Sequence, residues 1–388
     1  MASLYGMTRE GLRAWLAGRG EPPYRAEQIY HWLYRRRVES ADAMTDLPKR
    51  LRELLARETA LASLREVRRQ VSARDGTTKF LFALSDGDAI ETVIMRHDYG
   101  ISVCVSTQVG CRMGCRFCAS TLGGLVRHLE AGEIVEQLLY CQRHLDAEGA
   151  RVSSVVLMGA GEPLDNYDAS LAFVDIVTDP EGLRIGQRHI TLSTVGLAPA
   201  IRRLADERRG ITLAVSLHAA DDETRSRMMP VNRAHNIASL LQACQYYYEK
   251  TGRRISFEYA LIRGHNDSLE DARKLAGLLR SLPCHVNLIP VNHVPERNLV
   301  RTSAPQIQAF ARELELLGLS ATVRREMGSD IAAACGQLRA EHASSRSEET
   351  AGRVARREAE AGTGVPAQPA GTFTDEVRGN TDEIRGQV

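Results

Sequence analysis

Long apolar runs are missing from this chain of 388 residues. No stretch approaches the roughly 20 residues that cross a bilayer, so no membrane association is expected. Met1–Leu16 likewise lacks the apolar core of a secretion signal, and a cytoplasmic location is the expectation. Aromatic side chains are scarce at 5%, which leaves aliphatic residues to fill the core of a chain that is 43% hydrophobic and 26% charged. Net charge is nearly absent at +1. Overall charge therefore gives no reason to expect a polyanionic partner, although local clusters still can. Arg35, Arg36 and Arg37 stand together, and Arg65, Arg68 and Arg69 follow. Such clusters suit a solvated helix face or contacts to nucleic-acid phosphates, and the sequence leaves both open.

Cysteine is present, at eight residues. In a long chain without a secretion signal, clustered cysteines point to metal or catalysis rather than a disulfide scaffold. Three fall in Cys111-Arg-Met-Gly-Cys115-Arg-Phe-Cys118, a C-x₃-C-x₂-C spacing just after an apolar run. Thiolates so close together can take three irons of a [4Fe–4S] cube and leave the fourth open. Soft thiolates also suit zinc, for which His128 is a poorly spaced fourth ligand; the spacing favours the cluster. Cys141 and Cys244 fall on helices and Cys284 precedes a strand, and all three read as packing residues.

Three regions separate along the chain. Residues 1–95 open with helical patterning, over 24–34 and again from Lys49 to about Arg57, and end in a hairpin of 79–84 and 89–95 about the turn Ser85-Asp-Gly-Asp88. Residues 96–338 alternate short apolar runs with amphipathic segments. The runs at 102–107, 153–158, 189–195, 211–217, 255–262, 285–291 and 321–325 read as strands of a parallel sheet with helices outside, in a barrel or an open sheet. One segment, 268–282, starts on the capping box of Ser268 and Asp271. Residues 339–388 hold few large apolar side chains and read as a disordered tail.

The C-x₃-C-x₂-C triplet resembles the signature of the radical S-adenosylmethionine (SAM) superfamily. A closer resemblance is to the RlmN/Cfr family of radical SAM methyltransferases, which modify adenine in ribosomal RNA. It rests on Tyr24-Arg-Ala-Glu-Gln-Ile29, Ile90-Glu-Thr-Val93, Cys104-Val-Ser-Thr-Gln-Val-Gly-Cys111, Gly159-Ala-Gly-Glu-Pro-Leu164, Ser216-Leu-His218, Pro290-Val-Asn292 and Ala334-Cys335-Gly336-Gln337-Leu338. The tail after Leu338 lies outside the pattern.

The resemblance implies a partial (β/α)₆ TIM-like barrel behind a small amino-terminal helical domain, whose arginines would grip RNA. It implies one [4Fe–4S] cluster on Cys111, Cys115 and Cys118, and SAM bound at Gly161, Glu162, Ser193, Ser216, Leu217, His218 and Asn292, residues that fall at carboxyl ends of successive strands. Carbon 2 of adenine lies between two ring nitrogens and is too electron-poor for methylation by simple displacement. The mechanism the family implies uses two SAM molecules. One methylates Cys335; the other is cleaved to a 5′-deoxyadenosyl radical that takes a hydrogen from that methyl. After addition to the adenine, Glu91 removes the carbon-2 proton, and Cys104 resolves the adduct through a transient disulfide with Cys335. Implied partners are 23S rRNA, tRNA and an electron donor such as flavodoxin or ferredoxin, with the enzyme acting as a monomer. The sister reaction at carbon 8 uses the same cysteines, and a noncatalytic zinc-stabilised RNA-binding protein is the rival of another class.

Overall fold

The alternation of apolar runs and amphipathic segments is realised, in a computed structural model that describes residues 2–291, 299–331 and 338, as a ten-stranded sheet flanked by helices. Before the sheet come α1 (Arg9–Ala17), α2 (Tyr24–Tyr30) and α3 (Lys49–Glu58). The Thr8 hydroxyl caps α1 by accepting from the Gly11 amide. Past α2 the helix widens into a π-turn, His31–Arg36, that Arg37 ends in the left-handed conformation. Arg37 pairs with Asp146 at 2.7 Å, and Arg35 donates to the Pro180 carbonyl at 3.1 Å. Those two arginines thus dock the helical region onto the barrel as well as facing solvent.

The sheet is laid down in chain order. Strands β1 (Arg65–Val71), β2 (Thr78–Ala83) and β3 (Ala89–His97) form an antiparallel meander, and β4 (Gly100–Cys104) pairs antiparallel with β3. From β4 onward every pairing is parallel: β5 (Val152–Leu157), β6 (Ile190–Thr194), β7 (Thr212–Ser216), β8 (Ile255–Leu261), β9 (Cys284–Pro290) and a short β10 (Ala321–Val323). Helices bridge these strands: α4 (Ala131–Asp146), α5 (Tyr167–Thr178), α6 (Ala198–Asp206), α7 (Asp222–Met228) followed by α8 (Ile237–Thr251), α9 (Leu269–Leu279) and α10 (Ala304–Leu316). Strands added one after another through crossover helices make the expected partial barrel. Ser268 caps α9 in the predicted box with Asp271. Cys141, Cys244 and Cys284 are all buried in the main core. No helix among the described residues is long and apolar enough to cross a membrane.

Two expectations change. Arg65, Arg68 and Arg69 belong to no helix; they lie on β1, the edge strand of the meander. Charged residues on an edge strand discourage pairing with other chains, and Arg69 also covers the Phe80 ring at 5.2 Å while pairing with Glu66. A barrel-like sheet would also bring its first parallel strand, which carries Cys104, towards its last, which precedes Cys335; the two do not pair, because β3 occupies the outer edge of β4. Instead the chain beyond β10 returns to the meander. Asp330 accepts from Ser72 and from the Ala73 amide at 2.5 and 2.8 Å, and the Gly328 amide donates to Asp75 at 2.8 Å. Leu338, fully buried, packs with Leu81 and Ala89.

The register then sorts side chains by face. Thr92 on β3 donates to Gln137 of α4, and Phe80 and Phe82 on β2 pack on Tyr140 of α4, so these point outward to the helices. Their alternates Lys79, Leu81, Glu91 and Val93 face inward. Val93 is opposite Cys104, Cys104 beside Val156, and Val156 beside Thr191. Two residues on, Ser193 is beside Ala214, and Ser216 is beside Glu258. Glu91, Cys104, Ser193, Ser216 and Glu258 therefore share the inner face.

Candidate active site

The loop after β4 carries the three clustered cysteines, and its backbone is tied down at several points. The Cys111 amide donates to the Gly124 carbonyl, and the Arg116 amide to the Met228 carbonyl at the end of α7, both at 2.9 Å. The Thr121 hydroxyl lies 2.9 Å from the Cys115 and Cys118 carbonyls. All three cysteines line one wall of a cavity of ≈ 260 Å³ that opens at the carboxyl ends of the parallel strands. Burial pushes the Cys111 thiol up to about 12, and Cys115 higher still. Such thiols ionise only when a metal's charge takes the proton's place.

The donor set fits an iron–sulfur cube. Three thiols spread along a wall can each take a different iron, and the apolar shell of Phe117, Val195, Met229 and Val291 around them keeps water away. Among the described residues no three ligating side chains converge on a point as a single-ion shell requires. His128, the poor fourth ligand for zinc, is occupied with the Gln108 amide at 3.0 Å.

Opposite the cysteines stand the strand ends. The segments 104–108 and 159–162 interlock: the Ala160 amide donates to Ser106 Oγ, the Thr107 and Gln108 amides to the Ala160 carbonyl, and the Glu162 amide to Gln108 Oε1. A Cβ on Gly159 would come within 2.7 Å of the Val105 carbonyl and the Ser106 amide. Gly161 takes a φ of 115°, a conformation few other residues adopt. This close approach is the physical reason for the glycines of Gly159-Ala-Gly-Glu.

Gly161, Glu162, Ser193, Ser216 and His218 all line the cavity. Leu217 does not; its side chain is buried and its carbonyl accepts from Arg225. Asn292 and Cys335 lie outside the described residues. His218 is buried with a φ of 57° and its Nδ1 accepts from the Ala260 amide at 2.9 Å. That bond puts the ring proton on Nε2. Burial, aided by the charge of Arg225, lowers the ring to about 3, so it stays a neutral donor.

Glu162 accepts from the Val195 and Leu164 amides at 2.7 and 3.0 Å, yet burial still pushes its carboxyl up from 4.5 to about 7. The folded chain holds this proton more tightly than the unfolded one. The ligand-free protein should therefore lose stability as pH rises from about 4.5 to about 7. Glu162→Gln should flatten that limb in thermal melts; an unchanged slope would assign the effect elsewhere.

Glu91 and Cys104 sit on the same inner face but do not line the cavity wall. Both are buried, at 4% and 7% exposure. The Glu91 carboxylate pairs with Lys79 Nζ at 2.9 Å, and Lys79 is fully buried. Sequence reasoning read Glu91 as the family's base and missed its partner. A lysine within an otherwise apolar strand, Thr78-Lys-Phe-Leu-Phe-Ala83, was the available signal. It also missed Gln108, for which spacing carries no signal.

Comparison with known proteins agrees with the site. Residues 2–61 match the family model described as ribosomal RNA large subunit methyltransferase N-terminal domain, and residues 105–276 match the radical SAM superfamily. A protein of Geobacillus kaustophilus (strain HTA426) described as "Probable dual-specificity RNA methyltransferase RlmN" is 57% identical over 350 residues, covering 90% of this chain and 95% of that one. One of the same description from Staphylococcus aureus (strain NCTC 8325 / PS 47) is 59% identical over 338 residues, covering 87% and 93%. The crystal structure of a radical SAM methyltransferase from Sphaerobacter thermophilus superposes with a TM-score of 0.84 at 48% identity, covering 87% of this chain and 99% of that one. A cysteine loop at the mouth of a partial barrel, a strand-end cavity and this extent of identity lead to one conclusion: the chain belongs to the RlmN family of radical SAM RNA methyltransferases.

Proposed function

We propose that this enzyme methylates carbon 2 of an adenine in the peptidyl-transferase region of 23S rRNA and of the adenine beside the anticodon in some tRNAs. The observation that carries the reading is the shared inner face: Glu91 and Cys104 lie on it with the SAM-lining Ser193 and Ser216. Leu338, three residues past Cys335, packs on Leu81 of that same face. The relatives described as dual-specificity enzymes support two RNA substrates.

Cys111, Cys115 and Cys118 would hold the cluster, which would supply the electron that cleaves SAM. The chain's own residues do the rest. Gly161, Glu162, Ser193, Ser216, the Leu217 backbone, His218 and Asn292 hold SAM at the strand ends. Cys335 takes a methyl from one SAM by displacement and, after hydrogen loss, bonds through that carbon to the adenine. Glu91 would accept the carbon-2 proton while the unpaired electron of the adduct would pass back to the oxidised cluster. The Cys104 thiolate then attacks the Cys335 sulfur; the sulfur–carbon bond breaks, the departing carbon takes a proton to become the methyl of the released base, and a Cys104–Cys335 disulfide remains for reduction by external thiols.

Residues 1–95, with Arg35–Arg37 and the arginines of β1, grip RNA phosphates, while 96–338 perform the chemistry on an adenine turned out of its stack. The enzyme works as a monomer in the cytoplasm, with a flavodoxin- or ferredoxin-type donor. Nucleoside mass spectrometry of rRNA and tRNA from a deletion strain, with and without this chain, tests the assignment. 2-Methyladenosine should appear in both RNAs; 8-methyladenosine would replace this reading with the sister reaction. Colourless, zinc-containing protein after anaerobic purification would replace it with the noncatalytic one.

A further inference from the structure

Directly behind the cavity wall lies a charge that the chemistry above does not use. Arg225 on α7 is fully buried, and its guanidinium spends every donor on a neutral oxygen. Nε donates to the Leu217 carbonyl at 3.1 Å. Nη1 donates to Asn232 Oδ1 and the His235 carbonyl at 2.7 and 3.1 Å, and Nη2 to the Val195 and Ser216 carbonyls at 2.7 and 3.2 Å. Among the described residues Arg225 forms no ion pair, and Asp222 stands one step away, accepting from Asn232 Nδ2 at 2.9 Å. A buried cation without a counter-charge is costly, and proteins keep one where an anion belongs.

The surroundings say which anion. Met228, three residues on, accepts the Arg116 amide from inside the cysteine loop, and Pro230 sits against Gly114. Arg225 Nη2 holds the carbonyls of Val195 and Ser216, and both residues line the same cavity as Cys115. Val195, which takes the Arg225 bond at its carbonyl, gives its amide to Glu162 at 2.7 Å, so one peptide joins the cation to the SAM-lining carboxylate. Gly196 follows with a φ of 103°; a Cβ there would stand 3.3 Å from Arg225 Nη2.

We infer that Arg225 is the counter-charge of the iron–sulfur centre and the positioning residue that locks the strand ends at Val195, Ser216 and Leu217 against which SAM lies. The inference rests on the cysteine loop holding a cluster. A cube with three thiolates is anionic in both oxidation states and more so when reduced. A fixed cation beside it favours the reduced form and raises the potential at which the donor can deliver its electron.

The test is a reduction-potential titration of the reconstituted protein, followed by electron paramagnetic resonance, beside SAM affinity without reductant and melting of the metal-free chain. Arg225→Met should load iron yet show at least a tenfold lower ratio of reduced to oxidised cluster at a fixed potential, a shift of about 59 mV to the negative. Arg225→Lys keeps the charge but not the fork, so its potential should stay near that of the parent while SAM affinity falls. Should Arg225→Met fail to fold, the exchange Asp222→Asn with Asn232→Asp moves a carboxylate onto Nη1 at unchanged net charge. It too should shift the potential negative. Iron-loaded variants that melt early but keep the parent potential would overturn the electrostatic role. A parent chain that takes up no iron would overturn the cluster reading along with it.

Discussion

Alanine at position 104 should leave the protein joined to its RNA. In the proposed mechanism no other thiol attacks the Cys335 sulfur, so the sulfur–carbon bond to the adenine should persist and each enzyme should stop after a single turnover. A band containing both protein and RNA should survive denaturing electrophoresis and vanish on nuclease digestion. The placement of Cys104 makes this a test of chemistry rather than of folding. The side chain is small and buried on the inner face, opposite Val93 and beside Val156. Its truncation to alanine removes one sulfur and should cost about 1 kcal/mol or less in stability. Cys335→Ala should keep iron and SAM binding and make neither product nor adduct. Free, fully methylated RNA from the Cys104 variant would remove the resolving role.

The second large effect concerns the ion pair of Lys79 and Glu91. Both groups are buried, 2.9 Å apart, on adjacent strands of the meander. Glu91→Gln should take from Lys79 its carboxylate, and Lys79→Met should take from Glu91 its ammonium, each costing roughly 3–5 kcal/mol. Combining the two removes both charges and should recover most of that loss, since an uncharged pair of similar volume can replace a buried salt bridge. Activity should behave differently. On the proposed role of Glu91 the double variant lacks the base for the carbon-2 proton and should remain inactive although folded. Denaturant melts and single-turnover assays on the four proteins of this cycle separate the two roles. A stable double variant with parent activity would take the proton-acceptor role away from Glu91.

Much of this architecture was readable before any coordinates. The parallel strands after β4 fall within about a residue or two of their apolar runs, β5 at Val152–Leu157 and β8 at Ile255–Leu261 for example, because burial against helices demands apolar residues at alternate positions or throughout; β4 ends at Cys104, three residues short of its run at 102–107. The cap of α9 was legible because its signal is local, three residues from Ser268 to Asp271. Strand β1 was not. Arg-Glu-Val-Arg-Arg-Gln-Val carries no apolar alternation, since an edge strand exposed along most of its length has little to bury.

The same division runs through the site. The grouping of the cysteine triplet was legible by spacing, because three residues on one short loop reach the same cavity. The glycines of Gly159-Ala-Gly-Glu were visible as residue types, but their cause, a backbone packed within van der Waals reach of Val105 and Ser106, was not. Neither the carboxylate that Lys79 meets nor the carbonyls that Arg225 bonds at two strand ends could be read from the sequence, for those partners come from other strands and loops.

The amino-acid order alone thus determined the strand–helix rhythm, the ligand loop and the family resemblance, all of which are written in neighbouring residues. Only the tertiary structure decided which buried charges face one another, which side of the sheet carries Glu91 and Cys104, and how the chain after β10 returns to the meander. Those depend on register and on contacts between residues far apart in sequence, where a one-residue slip would turn every side chain to the opposite face.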